Sequence, residues 1–254
     1  MSDRLAPILD DARARAKRLR LEAVQTEAYG RAEVPSFEAA LAAPGLAVIA
    51  EVKRRSPSRG ALAEALDPAD QARRYEGGGA AAISVLTEPH HFDGSNADLE
   101  AVGAAVDLPL LRKDFTVSEK QVWEAKAIGA SALLLIVSAL DQDRLVTFLD
   151  LAADIGIDAL VEVHDGEEAR RARDAGARIV GVNNRDLTTF EVDLARSEEL
   201  RPLLDDAAVR VAESGIWTAA DAARMSNAGY DAVLVGEALV RADDPATLIG
   251  ALRG

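Results

Sequence analysis

Eight short apolar runs, separated by polar segments with the composition of helices, dominate the sequence after Gly45. The runs are rich in β-branched and aliphatic residues and lack the strict alternation of a strand with one solvated face. Continuous apolar strands that alternate with helices are typical of a parallel sheet covered on both sides. The runs comprise residues 46–53, 81–87, 108–114, 132–138, 158–163, 178–184, 209–214 and 232–236.

Eight such units in about 210 residues predict an α/β fold of the (βα)8 TIM-barrel type. An open dinucleotide-binding sheet would carry G-x-G-x-x-G after its first strand, and that motif is absent there. Glycines that follow helical stretches, as expected for helix C-caps, support the unit boundaries. These glycines are Gly129, Gly156, Gly176 and Gly229.

The first 44 residues read as a helical extension of the barrel. One helix is predicted roughly from Ser2 to Glu27, and a second begins after Ser36, a favourable N-cap that follows Pro35. We therefore expect one domain over residues 1–254, with the extension at 1–44 and the barrel at 45–254.

Composition excludes several classes of function. The chain has no cysteine, which rules out disulfides, thiolate nucleophiles and cysteine-based metal or iron–sulfur sites. A net charge of -14 disfavours nucleic acid and anionic membranes as partners. No apolar run reaches the ~18 residues of a membrane span, and the N-terminus lacks the apolar core of a secretory signal. We expect a cytoplasmic protein.

Polar side chains interrupt the apolar runs at their C-terminal ends, where a barrel of this type has its active site. Burying unpaired charges costs several kcal/mol each, so charges that recur at one rim need partners or a function. An ion-pair belt that closes the barrel is the alternative. The side chains are Glu51, Lys53, Arg112, Lys113, Asp114, Glu162, Asn183, Asn184, Arg185, Glu213 and Ser214.

The last two units carry the pattern of a phosphate site. ESGI at 213–216 and LVGEAL at 234–239 each follow a predicted strand. Small residues allow close approach of a ligand to backbone N–H groups, and barrels often bind phosphate at this place. The N–H groups of Ser214, Gly215, Gly236 and Glu237 are the candidates, and two ordinary glycine turns are the alternative.

Taken together, the motifs resemble those of indole-3-glycerol phosphate synthases, in the family's order and across the whole barrel. EVKRRSPS and LRKDF are the specific members of the series, whereas the ESG and VGEAL pair is shared by many phosphate-binding barrels. The motif-bearing segments are residues 51–60, 83–88, 110–115, 161–164, 182–187, 212–216 and 233–239.

The resemblance implies ring closure of 1-(2-carboxyphenylamino)-1-deoxyribulose 5-phosphate to indole-3-glycerol phosphate, with loss of carbon dioxide and water. It implies no metal and no organic cofactor. Lys113 would be the general acid, Glu162 the base of the dehydration and Lys53 its partner acid. How the two lysines divide the acid steps stays open. Glu51 would hold Lys53, while Asn183 and Glu213 would orient the ribulose hydroxyls and Glu162.

The resemblance also implies two anion subsites and an aromatic slot. Ser56 and Arg185 would hold the anthranilate carboxylate with Lys53 nearby, and the backbone at Ser214–Gly215 and Gly236–Glu237 would hold the phosphate. The Glu237 side chain would repel phosphate unless its carboxylate points away. The side chains that match the family's slot for the aromatic ring are Phe92, Phe115 and Leu187, for which plain core packing is the alternative. His164 shares a strand face with Glu162, and we expect it either to be structural or to support a site residue without touching the substrate.

Three other functions stay open. Phosphoribosylanthranilate isomerase, another phosphate-binding barrel, typically relies on a cysteine base, which this chain lacks. A Schiff-base aldolase needs a nucleophilic lysine, commonly on strand six, where Asn183 stands. A non-catalytic phosphosugar-binding barrel would not require Lys53, Lys113 and Glu162 together. As partners we expect the small phosphorylated substrate and, at most, weak association of a monomer with other enzymes of the tryptophan pathway.

Overall fold

Eight parallel strands close into a barrel in the computed structural model, which describes residues 5–57, 60–63, 65–186 and 189–254. Each strand pairs with its neighbours in chain order, and the first pairs with the last, Ala47 opposite Ala232. The (βα)8 prediction is confirmed. The strands are β1 Ala47–Val52, β2 Ala82–Leu86, β3 Leu110–Lys113, β4 Ala132–Ile136, β5 Asp158–Val163, β6 Ile179–Asn183, β7 Val209–Glu213 and β8 Ala232–Val235.

Helices follow the strands and pack around the barrel. After the N-terminal helices α1 Leu5–Arg18, α2 Leu21–Gly30 and α3 Phe37–Leu41, they are α4 Pro68–Gly77, α5 Asn96–Gly103, α6 Glu119–Ala127, α7 Gln142–Ile155, α8 Gly166–Asp174, α9 Ala195–Leu200, α10 Ala219–Asn227, α11 Glu237–Arg241 and α12 Pro245–Arg253. Short 3-10 turns occupy Val137–Ala139 and Arg201–Leu204, and Arg55–Ser56 pairs antiparallel with Gly60–Ala61.

Side-chain caps define most helix starts. Ser36 accepts a hydrogen bond from the backbone N–H of Ala39, so the predicted cap of α3 is confirmed. Gly129, Gly156, Gly176 and Gly229 all have positive φ, between 74° and 91°, as helix-terminating glycines do. None of the helices in the described part of the chain combines the length and the apolar character of a membrane span.

The N-terminal extension contacts both ends of the barrel. Phe37 and Leu41 of α3 are fully buried against first residues of the strands, such as Ala47 and Ala82, and plug the N-terminal end of the barrel. Leu5 and Leu9 of α1 instead pack with Val117 and Phe115, beyond the C-terminal end of β3. Interior strand residues such as Ile49, Leu111 and Leu160 fill the space between these two ends.

The prediction of one helix from Ser2 to Glu27 was wrong, because the chain breaks between α1 and α2. Arg20 is extended, with φ -96° and ψ 114°, and the Leu19 carbonyl accepts a hydrogen bond from Lys120 Nζ at 2.8 Å. The break lets α1 lie over the barrel mouth while α2 packs along α6, where the rings of Tyr29 and Trp123 are 5.3 Å apart.

Candidate active site

A cavity of about 500 Å³ opens at the C-terminal end of the strands. Most of the predicted site residues line it, and α1 contributes apolar side chains to its wall through Leu5 and Ile8. This volume is within the range of small-molecule sites. The predicted residues that line it are Glu51, Lys53, Ser56, Phe92, Lys113, Phe115, Glu162, Asn183, Arg185, Glu213, Ser214, Gly215, Gly236 and Glu237.

Lys113 forms the centre of the charged cluster. Its Nζ lies 2.6 Å from Glu213 Oε2 and 2.9 Å from Glu162 Oε2, and all three side chains are at least 87% buried. The three residues stand on β3, β5 and β7, with Glu51 on β1. Alternate strands supply each interior layer of a (βα)8 barrel, which explains why residues far apart in sequence meet here.

The cluster holds Lys113 in its charged form. Burial lowers the pKa of Lys113, but the carboxylates of Glu162, Glu213 and Glu51 outweigh this effect and raise it well above its usual value. The pKa of Glu162 moves the opposite way: burial raises it, and the charge of Lys113 together with His164 lowers it well below the usual range. The site therefore pairs an ammonium donor with an ionised carboxylate.

Glu213 differs from Glu162 although both contact the same ammonium. Burial is the largest cause, and it raises the pKa of Glu213 to about 7 against the opposing charge of Lys113. Its Oε1 atom is buried without a hydrogen-bond partner among the described residues. A buried carboxylate with one unpartnered oxygen beside an ammonium is a candidate for proton movement near neutral pH.

A second lysine, Lys53, directly follows the last residue of β1 and lines the same cavity. Lys53 Nζ lies 2.5 Å from Glu51 Oε1, so the two residues form an ion pair. Gly236 makes room for this pair: a Cβ at position 236 would overlap Glu51 Oε1 and lie 2.9 Å from Lys53 Nζ.

Asn183 at the end of β6 and Arg185 in the loop after it line one side of the cavity. Asn183 Nδ2 donates to Glu162 Oε1 at 3.1 Å, and Asn183 Oδ1 accepts from the backbone N–H of Arg185. The Arg185 guanidinium donates to the Phe190 carbonyl at 3.2 Å. Asn183 therefore orients both a carboxylate of the cluster and the start of the loop that carries a cavity-lining cation.

Two backbone segments, one after β7 and one after β8, form part of the cavity wall where the sequence predicts an anion site. Ser214 and Gly215 both have positive φ, 66° and 84°, a left-handed turn directly at the cavity wall. Gly236 precedes α11, and Glu237 pairs with Arg241 one turn later, Oε1 to Nε 3.1 Å. The guanidinium of Arg241 thus gives the Glu237 carboxylate a cationic neighbour on the same helix.

Aromatic and aliphatic side chains form the apolar part of the cavity wall. Phe92 and Phe115 lie with ring centroids 6.2 Å apart, and both line the cavity. Leu187 lies outside the described residues. The sequence did not identify Leu5, Ile8 or Trp217 as lining residues, although the apolar spacing of Leu5 and Ile8 in an otherwise polar helix was a usable signal.

Some charged and polar residues at the strand ends hold neighbouring segments in place around the site. Arg15 of α1 donates two hydrogen bonds to the buried Asp114 carboxylate, at 2.7 and 2.9 Å. Arg112 lies behind the cavity wall and pairs with Glu124 at 2.5 Å. Asn184 Nδ2 donates to the Ser214 carbonyl at 3.1 Å. The ion-pair alternative thus accounts for Arg112 and Asp114, and these contacts fix α1 and the Ser214 turn relative to Lys113.

No group of three or more His, Asp or Glu side chains suited to a metal ion occurs within the described ranges. The cavity is lined by lysine ammonium groups and carboxylates, which can donate and accept protons.

Comparisons with known proteins point to one family. The model of the family described as indole-3-glycerol phosphate synthase matches residues 5–252. A protein of that name from Kineococcus radiotolerans is 51% identical, over 96% of this chain and 91% of its own length. Another from Streptomyces griseus is 50% identical, over 98% of this chain and 94% of its own.

The similarity to solved structures concerns the fold. Thiamine phosphate pyrophosphorylase from Pyrococcus furiosus superposes with a TM-score of 0.62 at 19% identity, over 84% of this chain and 96% of that one. At this level of identity the likeness supports the barrel architecture and nothing about the reaction.

Proposed function

The chain belongs to the indole-3-glycerol phosphate synthase family, and from that premise we propose how its barrel mouth performs the carboxy-lyase reaction of that family in tryptophan biosynthesis. The observation that carries the proposal is the buried Lys113 ammonium between Glu162 and Glu213, in one cavity with a second lysine, Lys53. The substrate is 1-(2-carboxyphenylamino)-1-deoxyribulose 5-phosphate.

Ring closure requires an activated ketone. The aromatic carbon that bears the carboxylate attacks C2 of the ribulose chain, and the developing oxyanion must be protonated or strongly hydrogen-bonded. Lys113 is the donor in this proposal, because the surrounding carboxylates keep it protonated. Loss of carbon dioxide then restores the aromatic ring.

Dehydration completes the indole. A proton leaves the carbon next to the nitrogen, and the hydroxyl at the former C2 leaves as water. Glu162 accepts the carbon-bound proton, and Lys53 donates a proton to the departing hydroxyl. Asn183 holds the Glu162 carboxylate in orientation at 3.1 Å. Glu213 balances the charge of Lys113 and is placed to contact a ribulose hydroxyl.

The two ends of the substrate are anionic, and the cavity has cationic or N–H-rich groups at separate places. Ser56 and Arg185 bind the anthranilate carboxylate, and Lys53 assists them. The backbone of Ser214–Gly215 and of Gly236–Glu237 binds the phosphate, while Phe92 and Phe115 enclose the aromatic ring. Holding both ends brings the two reacting carbons together, which is a large part of catalysis in such a closure.

We further propose that the protein works as a monomer in the cytoplasm. Well-exposed large hydrophobic side chains in the described part of the chain are few: Leu21 and Tyr29 of α2, with Val192 and Trp217. Four such side chains offer little apolar area for an obligate interface. Sedimentation equilibrium of the purified chain tests this, and a concentration-independent dimer mass would contradict it.

In the direct test, purified protein is mixed with 1-(2-carboxyphenylamino)-1-deoxyribulose 5-phosphate in the presence of EDTA, and product formation is measured as a rise in indole fluorescence. We expect turnover that EDTA does not reduce. A folded protein that binds the substrate without a fluorescence rise would favour the non-catalytic barrel. Trapping of a covalent adduct by borohydride would favour Schiff-base chemistry.

A further inference from the structure

His164 lies between two carboxylates directly behind Glu162. Its Nδ1 is 3.0 Å from Glu168 Oε2, and its Nε2 is 3.2 Å from Glu162 Oε1. Its own backbone N–H also donates to Glu168 Oε2, at 2.8 Å, so Glu168 anchors the residue twice. The His164 side chain is 12% exposed and does not belong to the described lining of the cavity.

The contacts determine the protonation state of the ring. A carboxylate oxygen repels the lone pair of an unprotonated ring nitrogen, so a carboxylate 3.0–3.2 Å from each nitrogen favours the ring with a proton on both. Burial lowers the pKa of His164, but its contacts with Glu162 and Glu168 outweigh burial and raise it to about 10. Because Nε2 has no aligned hydrogen-bond partner, the contact with Glu162 is an ion pair and not a directed hydrogen bond.

Glu162 therefore has two cations, one on each oxygen. Lys113 is 2.9 Å from Oε2, and His164 is 3.2 Å from Oε1, where Asn183 also donates. In the proposed reaction Lys113 must turn toward the substrate oxygen. A buried carboxylate that lost its sole cation would take up a proton, since desolvation disfavours the charged form. A second cation on the far side prevents this.

We propose that His164, anchored by Glu168, is a positioning residue that keeps Glu162 oriented and ionised while Lys113 engages the substrate. The inference rests on the proposed function, because it needs Glu162 to act as a base. The charged groups acting on the ring are Glu162 of β5, which ends one residue before His164, and Glu168 of α8; Lys113 of β3 faces the opposite oxygen of Glu162.

The discriminating variant is His164→Asn. An asparagine amide nitrogen stands near the position of Nδ1, so the anchor to Glu168 is retained while the cation beside Glu162 is lost. We expect kcat to fall about 10- to 100-fold, the loss typical of a displaced reacting group, with little change in KM. The acid limb of the kcat–pH profile should move about one unit upward, because removal of a cation raises the pKa of the neighbouring carboxylates. His90→Asn, at an exposed histidine, is the matched control and should leave both unchanged.

Glu168→Gln is the second variant and covers the case in which His164→Asn does not fold. It leaves the ring in place, weakens its cationic form and should move the acid limb in the same direction by a smaller amount. An unmoved acid limb in a folded variant of either kind overturns the inference, even if kcat is reduced, because a merely structural role predicts that outcome.

Nitrogen-15 NMR of the histidine rings gives a readout that does not depend on turnover. The chain has three histidines, so the signal lost in His164→Asn, or lowered in titration midpoint by Glu168→Gln, assigns His164. We expect protons on both ring nitrogens at about pH 8, well above the usual histidine range. A neutral ring at that pH overturns the inference. Failure of the wild-type protein to form indole product would instead remove the proposed function itself.

Discussion

The carboxylate of Glu213 in β7 occupies the space where a side chain at Gly181, in the neighbouring strand β6, would lie. A Cβ built on Gly181 overlaps Glu213 Oε1 and approaches Leu160 Cδ1 to 3.1 Å. The glycine in β6 therefore determines where the carboxylate of β7 can sit. Because Glu213 contacts Lys113 at 2.6 Å, the position of the ammonium depends on this glycine as well.

Gly181→Ala should displace Glu213 and release one of the two carboxylates from Lys113. We expect kcat to fall about 100-fold, the effect of roughly 1 Å of misplacement at a reacting group. Steady-state kinetics measure this loss. Gly250→Ala is the matched control, because nothing lies within 4 Å of a Cβ at that helical position and alanine favours a helix by about 0.5–1 kcal/mol. Equal activity of the two variants would show that the Glu213 position is unimportant.

Lys113→Ala tests the general acid directly. Removal of the ammonium should lower kcat by at least the ~10²–10⁴-fold typical of a lost proton donor. It also leaves Glu162 and Glu213 facing each other without their shared cation, so thermal unfolding must confirm that the variant is folded. Lys17→Ala, at an exposed lysine of α1, is the control. A folded Lys113→Ala protein with more than a tenth of wild-type kcat would show that another group is the acid.

The contact between Arg15 and Asp114 predicts a pH-dependent contribution to stability. Burial raises the pKa of Asp114, but Arg15 and Arg112 outweigh it and hold the pKa below its ordinary value of 3.8. A carboxyl whose folded pKa is depressed stabilises the fold above its unfolded pKa, and that stabilisation is lost as pH falls through the folded pKa.

Arg15→Met should therefore destabilise the protein by about 3 kcal/mol near neutral pH, as loss of one partner of a buried ion pair does. The difference from wild type should shrink as pH falls below 3.8 and through the depressed folded pKa of Asp114, where its carboxylate is lost. Urea unfolding at several pH values measures it. Arg18→Met, at an exposed position of the same helix, should change stability by no more than ~0.5 kcal/mol. A destabilisation that is independent of pH would show that Arg15 acts through packing alone.

The strands were predictable because each is a continuous apolar run ended by polar residues. The predicted run at 158–163 coincides with β5, and the other runs contain their strands with a few extra residues at the ends. The break between α1 and α2 was not predictable from local pattern, because Lys120 and α6 impose it from more than a hundred residues away. Tertiary contacts of this kind override a helical sequence that continues through the break.

The members of the charged cluster could be predicted from the strand ends, but their pairing could not. Lys113 contacts Glu162 and Glu213, which are 49 and 100 positions away. The barrel's closure determines those partners. The space left by Gly181 was not predicted, because the polar residues at the strand ends carry the sequence signal of the site, although a glycine inside a strand often marks a close approach.

The left-handed turn at Ser214–Gly215 gives the last prediction. Gly215 has φ 84°, and a Cβ there would lie 2.5 Å from Val192 Cγ1 and 3.1 Å from Leu194 Cδ2. An alanine must either adopt a conformation that costs about 1–3 kcal/mol or move the turn. If this backbone binds the phosphate, Gly215→Ala should raise KM and the inhibition constant of inorganic phosphate together, by about tenfold, which corresponds to ~1.4 kcal/mol.

Gly176→Ala is the matched control: its φ is 79°, nothing lies within 4 Å of its Cβ, and it does not line the cavity. That variant should lose stability and keep both constants. Unaltered phosphate inhibition in a folded Gly215→Ala protein would place the phosphate elsewhere in the barrel mouth.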